Sequence, residues 1–246
     1  MKSCLKRDKR LIYPVLTQLN DDPVVTKIEK MLLPEECDLL MKKSGKYRRS
    51  ETTGGGVDAY RTSSTSRPDK KDTFVKCLGK RLATIATMPD NIELQVTRYT
   101  NGQQYKPHHD DEGSLWPRRE KTLFAYLDDT GLDKGKCGGA TCFNRIRKDG
   151  KHLKVYPHKG DAVMWSNFTR DGRPDYRTEH SGEKVTCPGA RKIGLNAWFQ
   201  RAAGAELSRH LGLNAWFRRA AGAELSRHPR STRPKRKKKK RPSSAA

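Results

Sequence analysis

No apolar run in this sequence of 246 residues approaches the roughly 18 residues that a membrane-crossing helix needs, so no membrane span is expected. The basic start, MKSCLKRDKRLIYPVLTQ, has no continuous apolar stretch, which argues against a secretory leader. Cysteines are few, and none form a CxxC pair. Cys4, Cys37, Cys77, Cys137, Cys142 and Cys187 follow no disulfide framework and read as reduced thiols of a cytoplasmic or nuclear protein. Cys137 and Cys142 resemble half of a metal site, but no matching second pair exists. Hydrophobic residues make up only 33%, little for a chain of this length, so a packed core must be diluted by polar segments. Acidic residues are also scarce, 28 against 52 Lys and Arg, for a net charge of +24. Such an excess favours polyanionic or acidic partners and says nothing about fold.

The charge is concentrated at the end. From Arg201 onward stand fourteen Lys and Arg against Glu206 and Glu224, a surplus of twelve. The stretch KRKKKKR (235–241) suits nuclear targeting or a phosphate-directed nucleic-acid contact without base preference, and the last residues have almost nothing to bury, so they are expected to be disordered. Just before it, GLNAWFQRAAGAELSRH (194–210) recurs as GLNAWFRRAAGAELSRH (212–228). Two copies are too few for a solenoid, and so close a match indicates recent duplication. The first copy is expected to be structural and the second a surface addition.

The rest divides into an extension (1–22), a central domain (23–200) and the tail (201–246). Val24, Val25 and Ile28 suggest a strand. Pro34, Glu35 and Glu36 suit a helix start, with Cys37, Leu40 and Met41 on its apolar side. Residues 50–68, rich in Gly, Ser and Thr, read as a loop. Val75, Leu78, Leu82 and Ile85 mark one face of a second helix over about 69–87. Ile92, Leu94 and Val96 alternate with polar residues as in a strand. Short strand candidates follow at 122–128, 140–144, 152–156, 162–166, 176–180 and 191–199. Many short strands after two helices indicate an antiparallel sandwich or barrel with helices outside.

The most informative segment is RYTNGQQYKPHHDDEG (98–113). On a strand, His108 and Asp110 point to the same side and can reach one ion, and His180 on a later strand supplies a third ligand. Two His and one carboxylate hold one face of Fe(II) and leave three positions open. His109 and Asp111 have the same spacing, so residue spacing alone does not choose between the pairs.

These segments together resemble the catalytic domain of the prolyl 4-hydroxylases, Fe(II)- and 2-oxoglutarate-dependent dioxygenases. The resemblance runs from about Pro23 to Phe199. It rests on Arg98, Tyr99, Gly102, Gln103, Tyr105, His108 and Asp110; on PEEC (34–37) and RTSS (61–64); on Arg119, Thr122, Tyr126 and Leu127, with Phe124 in a Leu position; on GGATCF (138–143) and YPHKGDAVMWSN (156–167); and on EHSGEKVTCPGARKIGLNAWF (179–199).

The resemblance implies a mostly β (α+β) fold, a double-stranded β-helix or jelly-roll barrel with supporting N-terminal helices. It implies His108, Asp110 and His180 as metal ligands, with Fe(2+), 2-oxoglutarate, O2 and L-ascorbate as cofactors. It implies Lys192, with Arg191 as the alternative, as the partner of the 2-oxoglutarate carboxylate, and Tyr99 and Thr122 beside it. Tyr105, Arg119 and Trp198 match positions lining the groove for a proline-containing protein or peptide. The chain departs from the pattern in a connection two residues longer between His180 and Lys192, in Lys184 for Pro, in Ala140 for Glu and in Leu33 for a polar cap. Hydroxylation of prolyl residues is the expected reaction. The alternatives are the same chemistry on another side chain or as a nucleic-acid demethylase, and a non-catalytic basic binding module.

Overall fold

The computed structural model describes residues 1–6, 8–51, 59–111, 118–133 and 135–200. The basic tail and the second copy of the duplication lie outside the described residues, as do the expectations attached to them.

Among the described residues, twelve strands form two antiparallel sheets. Numbered along the chain they are β1 (Val15–Asp21), β2 (Val24–Glu29), β3 (Arg48–Arg49), β4 (Ser64–Ser66), β5 (Ile92–Thr100), β6 (Tyr105–His108), β7 (Arg119–Asp128), β8 (Thr141–Lys148), β9 (Lys151–Val155), β10 (Ala162–Ser166), β11 (His180–Gly182) and β12 (Arg191–Gln200). The larger sheet runs β1-β2-β10-β7-β12-β5-β4-β3 and the smaller β6-β11-β8-β9. This is the expected jelly roll. Helices α1 (Pro34–Lys43) and α2 (Thr73–Ala86) support the larger sheet.

Strand alternation separates the two faces of that sheet. Leu94 and Val96 of β5, Leu123, Ala125 and Leu127 of β7, and Leu195, Ala197 and Phe199 of β12 join Cys37, Leu40, Leu78 and Leu82 of the helices in one buried cluster. From the opposite face, Phe124, Tyr126, Val163 and Trp165 meet Phe143, Ile146, Leu153 and Val155 of the smaller sheet. The residues left over on this inner face, including Tyr99, Lys192 and Trp198, are free to line a cavity.

Helix α2 begins where Asp72 accepts hydrogen bonds from the N–H groups of Phe74 and Val75, and it ends at Thr87 in the left-handed region (φ 53°). Helix α1 has no polar cap, since Leu33 precedes Pro34. Glu36 substitutes by reaching back to the Leu33 N–H at 3.0 Å. The same carboxylate accepts from the Cys4 N–H at 2.8 Å and from both Arg81 Nη atoms at 2.9 and 2.7 Å. One buried side chain thus ties the first residues to both helices.

Several expectations are corrected. Residues 1–22 are not a detached extension: β1 pairs with β2 along its length, and Cys4 is disulfide-bonded to Cys77. The presumed loop at 50–68 contains β4, paired to β5 through Thr65 and Thr97. At 176–180, Tyr176–Thr178 form a 3-10 turn started by the Asp175 side chain, and the strand begins at His180 rather than ending there. The cysteines are not all reduced: Cys137 and Cys187 form a second disulfide, leaving Cys37 and Cys142 as buried thiols. No described helix is long and apolar enough to cross a membrane.

Candidate active site

His108 and His180 are placed by backbone pairing. They are direct partners across β6 and β11, so they face each other on neighbouring strands of the smaller sheet. Asp110 comes from the irregular chain just past the end of β6, not from the strand itself, which corrects the simple i, i+2 argument. One ligand atom from each of the three residues lies within 4.8 Å of the others. Both imidazoles turn Nε2 toward the carboxylate, at 3.7 Å from Asp110 Oδ1 and Oδ2 respectively. Their Nδ1 atoms are engaged by the carbonyls of Lys106 and Thr178, at 2.8 and 3.1 Å. A ring whose Nδ1–H donates to a carbonyl presents a lone pair on Nε2, the tautomer that binds a metal.

The protonation states agree. Burial, then the facing His180 imidazole, push His108 down to about 3. Burial also lowers His180. Burial alone would raise Asp110, but the two imidazoles and the Thr122 hydroxyl outweigh it and hold it down to about 2. Two imidazoles whose charged forms are disfavoured by burial surround a carboxylate that forms no ion pair with a described Lys or Arg side chain. An unpaired buried anion is costly, and a divalent cation on the three ligand atoms relieves it. The residues fit Fe(II), with one face of the ion held and three positions left open.

The neighbouring candidates are separated from this set. His109 turns Nδ1 to the Asp111 carbonyl at 2.8 Å, and Asp111 pairs with Arg118 at 3.3 Å. The pair His108 and Asp110 alone converges with His180.

The three ligands border a cavity of about 710 Å³ that also includes Tyr99, Tyr105, Phe124, Arg119, Lys192, Asn196 and Trp198. Lys192 is 1% exposed, and its Nζ donates to the Gly139 carbonyl at 2.8 Å. The rings of Tyr99, Phe124 and Tyr126 stand 5.3, 5.2 and 5.8 Å from it. Burial pushes this ammonium down to about 7. Arg191, the alternative anchor, is half exposed on the other side of β12 and paired with Asp128, so it does not enter the cavity. Tyr99 is buried, and its hydroxyl pKa is raised by that burial. Gly194 separates Lys192 from Asn196 on this face. A Cβ there would lie 2.1 Å from Phe124 Cζ, so glycine is what allows the ring to close the cavity floor.

Thr122, expected beside 2-oxoglutarate, is fully buried. It donates to Asp110 Oδ2 at 2.6 Å and accepts from Asn167 Nδ2 at 3.0 Å, while Asn167 Oδ1 accepts from Trp165 Nε1 at 3.0 Å. It therefore orients a ligand. Tyr105 stacks on His108 with ring centroids 3.5 Å apart, covering that ligand. Arg119 lies 3.8 Å over the Trp198 ring and pairs with Glu93 at 3.0 Å. The sequence reading missed Arg61, which is buried, stands over Tyr105 at 4.7 Å and donates to Gln95 Oε1 at 2.8 Å. Its partner lies 34 residues away, and only RTSS hinted at the segment.

The profile of the 2OG-Fe(II) oxygenase superfamily matches residues 94–200. Prolyl 4-hydroxylase 1 of Arabidopsis thaliana is 30% identical over 203 residues, covering 74% of this chain and 70% of that protein. The chain belongs to the prolyl 4-hydroxylase family. Prolyl 4-hydroxylase subunit alpha-2 of Caenorhabditis elegans is 26% identical over 85% of this chain, which spans only 40% of that longer protein. Among solved structures, a viral collagen prolyl hydroxylase from Paramecium Bursaria Chlorella virus-1, in its 2OG complex, shares the fold at a TM-score of 0.57. It is 22% identical, and the match covers 72% of this chain and 96% of that one. As a member of this family, the protein is an Fe(II)- and 2-oxoglutarate-dependent dioxygenase. The connection between His180 and Lys192 contains Cys187, whose bond to Cys137 fastens it to the loop carrying Gly139.

Proposed function

We propose that the protein hydroxylates prolyl residues of a protein or peptide while 2-oxoglutarate is converted to succinate and CO2. The observation that carries this reading is one cavity that places the two-histidine, one-aspartate set and the buried Lys192 together beneath an aromatic and cationic opening. Fe(II) bound at His108, Asp110 and His180 supplies the oxidising chemistry, drawing on O2, with ascorbate, as is typical of the family, keeping the metal reduced. The chain's own side chains do the rest. Lys192 neutralises the far carboxylate of 2-oxoglutarate in a site where water cannot, and Tyr99 stands beside it as a hydroxyl donor. Tyr105, Arg119 and Trp198 line the cavity, where flat rings suit the proline ring and its extended backbone.

The nucleic-acid demethylase alternative was invited by the basic charge, and such enzymes usually anchor 2-oxoglutarate with an arginine. It is disfavoured by Arg191 facing Asp128 outside the cavity. The binding-module reading has no account of a buried, ordered ligand set. The two disulfides favour an oxidising compartment for the folded chain over the cytoplasmic or nuclear one expected from its cysteine spacing.

The test is mass spectrometry of proline-rich peptides incubated with the protein, Fe(II), 2-oxoglutarate and ascorbate. One added oxygen on proline, matched by succinate and absent with His108→Ala, is expected. Oxidation of methylated oligonucleotides with none on peptides would overturn the reading.

A further inference from the structure

The opening of the cavity is strongly basic, and that basicity belongs to the folded domain rather than to the tail. Lys46, Arg48, Arg49 and Arg67 are exposed residues that border it, with Arg61 and Arg119 deeper in the same wall. Against these six cations stand Glu51 on the border and Glu93, which Arg67 and Arg119 share at 3.1 and 3.0 Å. Lys46 and Arg48 form no ion pair with any described residue.

Register shows where these charges lie. Gly194 of β12 is opposite Thr97 of β5, Thr97 is opposite Thr65 of β4, and Thr65 is opposite Arg48 of β3. Residues directly opposite in an antiparallel sheet share a face. Arg48 therefore projects from the face that forms the cavity floor, three strands out from β12. At about 4.8 Å per strand this is roughly 14 Å, the reach of about four residues of extended peptide at ~3.1 Å each. Short polar strands at a sheet edge have no core to pack, so cations on them serve solvent or a partner.

Resting on the reading of a proline-containing peptide as substrate, we infer that this dioxygenase selects prolines flanked by acidic residues, whose carboxylates engage Arg48 and Lys46 about three to five residues from the hydroxylated ring. Exposed cations at the edge of a site raise encounter rate and discriminate against like-charged peptides, and arginines recognise carboxylates in two-point fashion. A nucleic-acid strand would use the same charges through phosphates.

The experiment compares three peptides differing only at the flanking positions, which carry Glu, Gln or Lys. It measures both hydroxylation and binding by fluorescence anisotropy on the full chain with Fe(II) and 2-oxoglutarate. The Glu peptide is expected to have a KM about five- to tenfold below the Gln peptide, with similar kcat, and the advantage should shrink from ~50 to ~500 mM salt. Combined Lys46→Glu and Arg48→Glu should reverse the ranking in favour of the Lys peptide, an outcome that an unfolded variant cannot produce. Equal affinity for the Glu and Gln peptides, or an unchanged ranking in the reversed variant, overturns the inference. So does displacement of the Glu peptide by a short uridine oligonucleotide at lower concentration than by unlabelled Glu peptide. Because binding is read separately, absence of hydroxylation on all three peptides counts against prolyl hydroxylation itself, while the anisotropy ranking still decides the acidic preference.

Discussion

Thr122 donates a hydrogen bond of 2.6 Å to Oδ2 of Asp110, so the carboxylate of the candidate metal site is aimed by a neutral hydroxyl. Thr122→Val keeps the shape and removes the donor. Asn167 Nδ2 retains the Arg119 carbonyl at 2.9 Å, so the loss falls mainly on Asp110. Removing such a partner of a ligand usually weakens metal binding about 10- to 100-fold. Anaerobic titration with Fe(II) or Co(II) should show this weakening, and Thr122→Ser should recover most of it. Unchanged affinity in the valine variant would mean that Asp110 is held by backbone alone.

A second prediction concerns pH. Lys192 is pushed down to about 7 by burial, and it must carry a proton to neutralise a carboxylate. As pH rises through that value the protonated fraction falls, so the KM for 2-oxoglutarate should rise by about tenfold per unit well above it. Lys192→Arg keeps its charge throughout this range and should flatten the profile, whatever its absolute affinity. If the native KM is level from pH 7 to pH 9 in buffered assays, the ammonium is not the group that answers the carboxylate.

The parts of the fold legible in the sequence were those with periodicity. Ile92, Leu94 and Val96 alternate because one face of β5 packs on the helices while the other, with Gln95, Thr97 and Tyr99, is buried on the cavity side, and Val75, Leu78 and Leu82 recur because one face of α2 is buried. Strands β3 and β4 had no such signal. They are two and three polar residues long, and they are strands only because the edge of β5 offers hydrogen bonds to β4, and β4 in turn to β3. The site was legible in its residue types and through the family resemblance, whereas the side on which each residue stands was not. Lys192 and Arg191 are adjacent cations, and only the register of β12 sends one inward and the other to Asp128. Thr122 was placed beside 2-oxoglutarate by the resemblance, and nothing in the sequence announced its hydrogen bond to Asp110. The disulfide partners lie 73 and 50 residues apart, beyond any local pattern.

Those disulfides yield a count and a stability. Denatured, unreduced protein should expose two titratable thiols, Cys37 and Cys142, and reduction should add four. Opening the 50-residue loop closed by Cys137 and Cys187 should cost about 2–4 kcal/mol, measured as the drop in unfolding free energy of Cys137→Ala. The loop also carries Gly139, whose carbonyl holds Lys192, so the same variant should raise the KM for 2-oxoglutarate more than it weakens iron. Six free thiols in the native chain would contradict both expectations.

The last prediction rests on Glu36, which is fully buried against Arg81. Burial alone would raise its pKa, but the Arg81 guanidinium and the N–H groups of Cys4 and Leu33 outweigh it and hold the carboxyl below its ordinary value. A group depressed in the folded state stabilises it above the unfolded pKa, near 4.3, and the contribution fades as pH falls through the lower folded value. Glu36→Gln leaves Arg81 buried beside a neutral amide and should destabilise the protein by about 3–5 kcal/mol at pH 7. In urea titrations the gap between native and variant should be constant from pH 7 to about 5 and narrow below about 4. A gap that persists undiminished at pH 3 would place the effect in packing rather than charge. Replacing both partners, with Glu36→Leu and Arg81→Met, should recover part of the loss because no ion is stranded. Full recovery is not expected, because the Cys4 and Leu33 N–H groups would still lack the acceptor that Glu36 supplies at both ends of this contact.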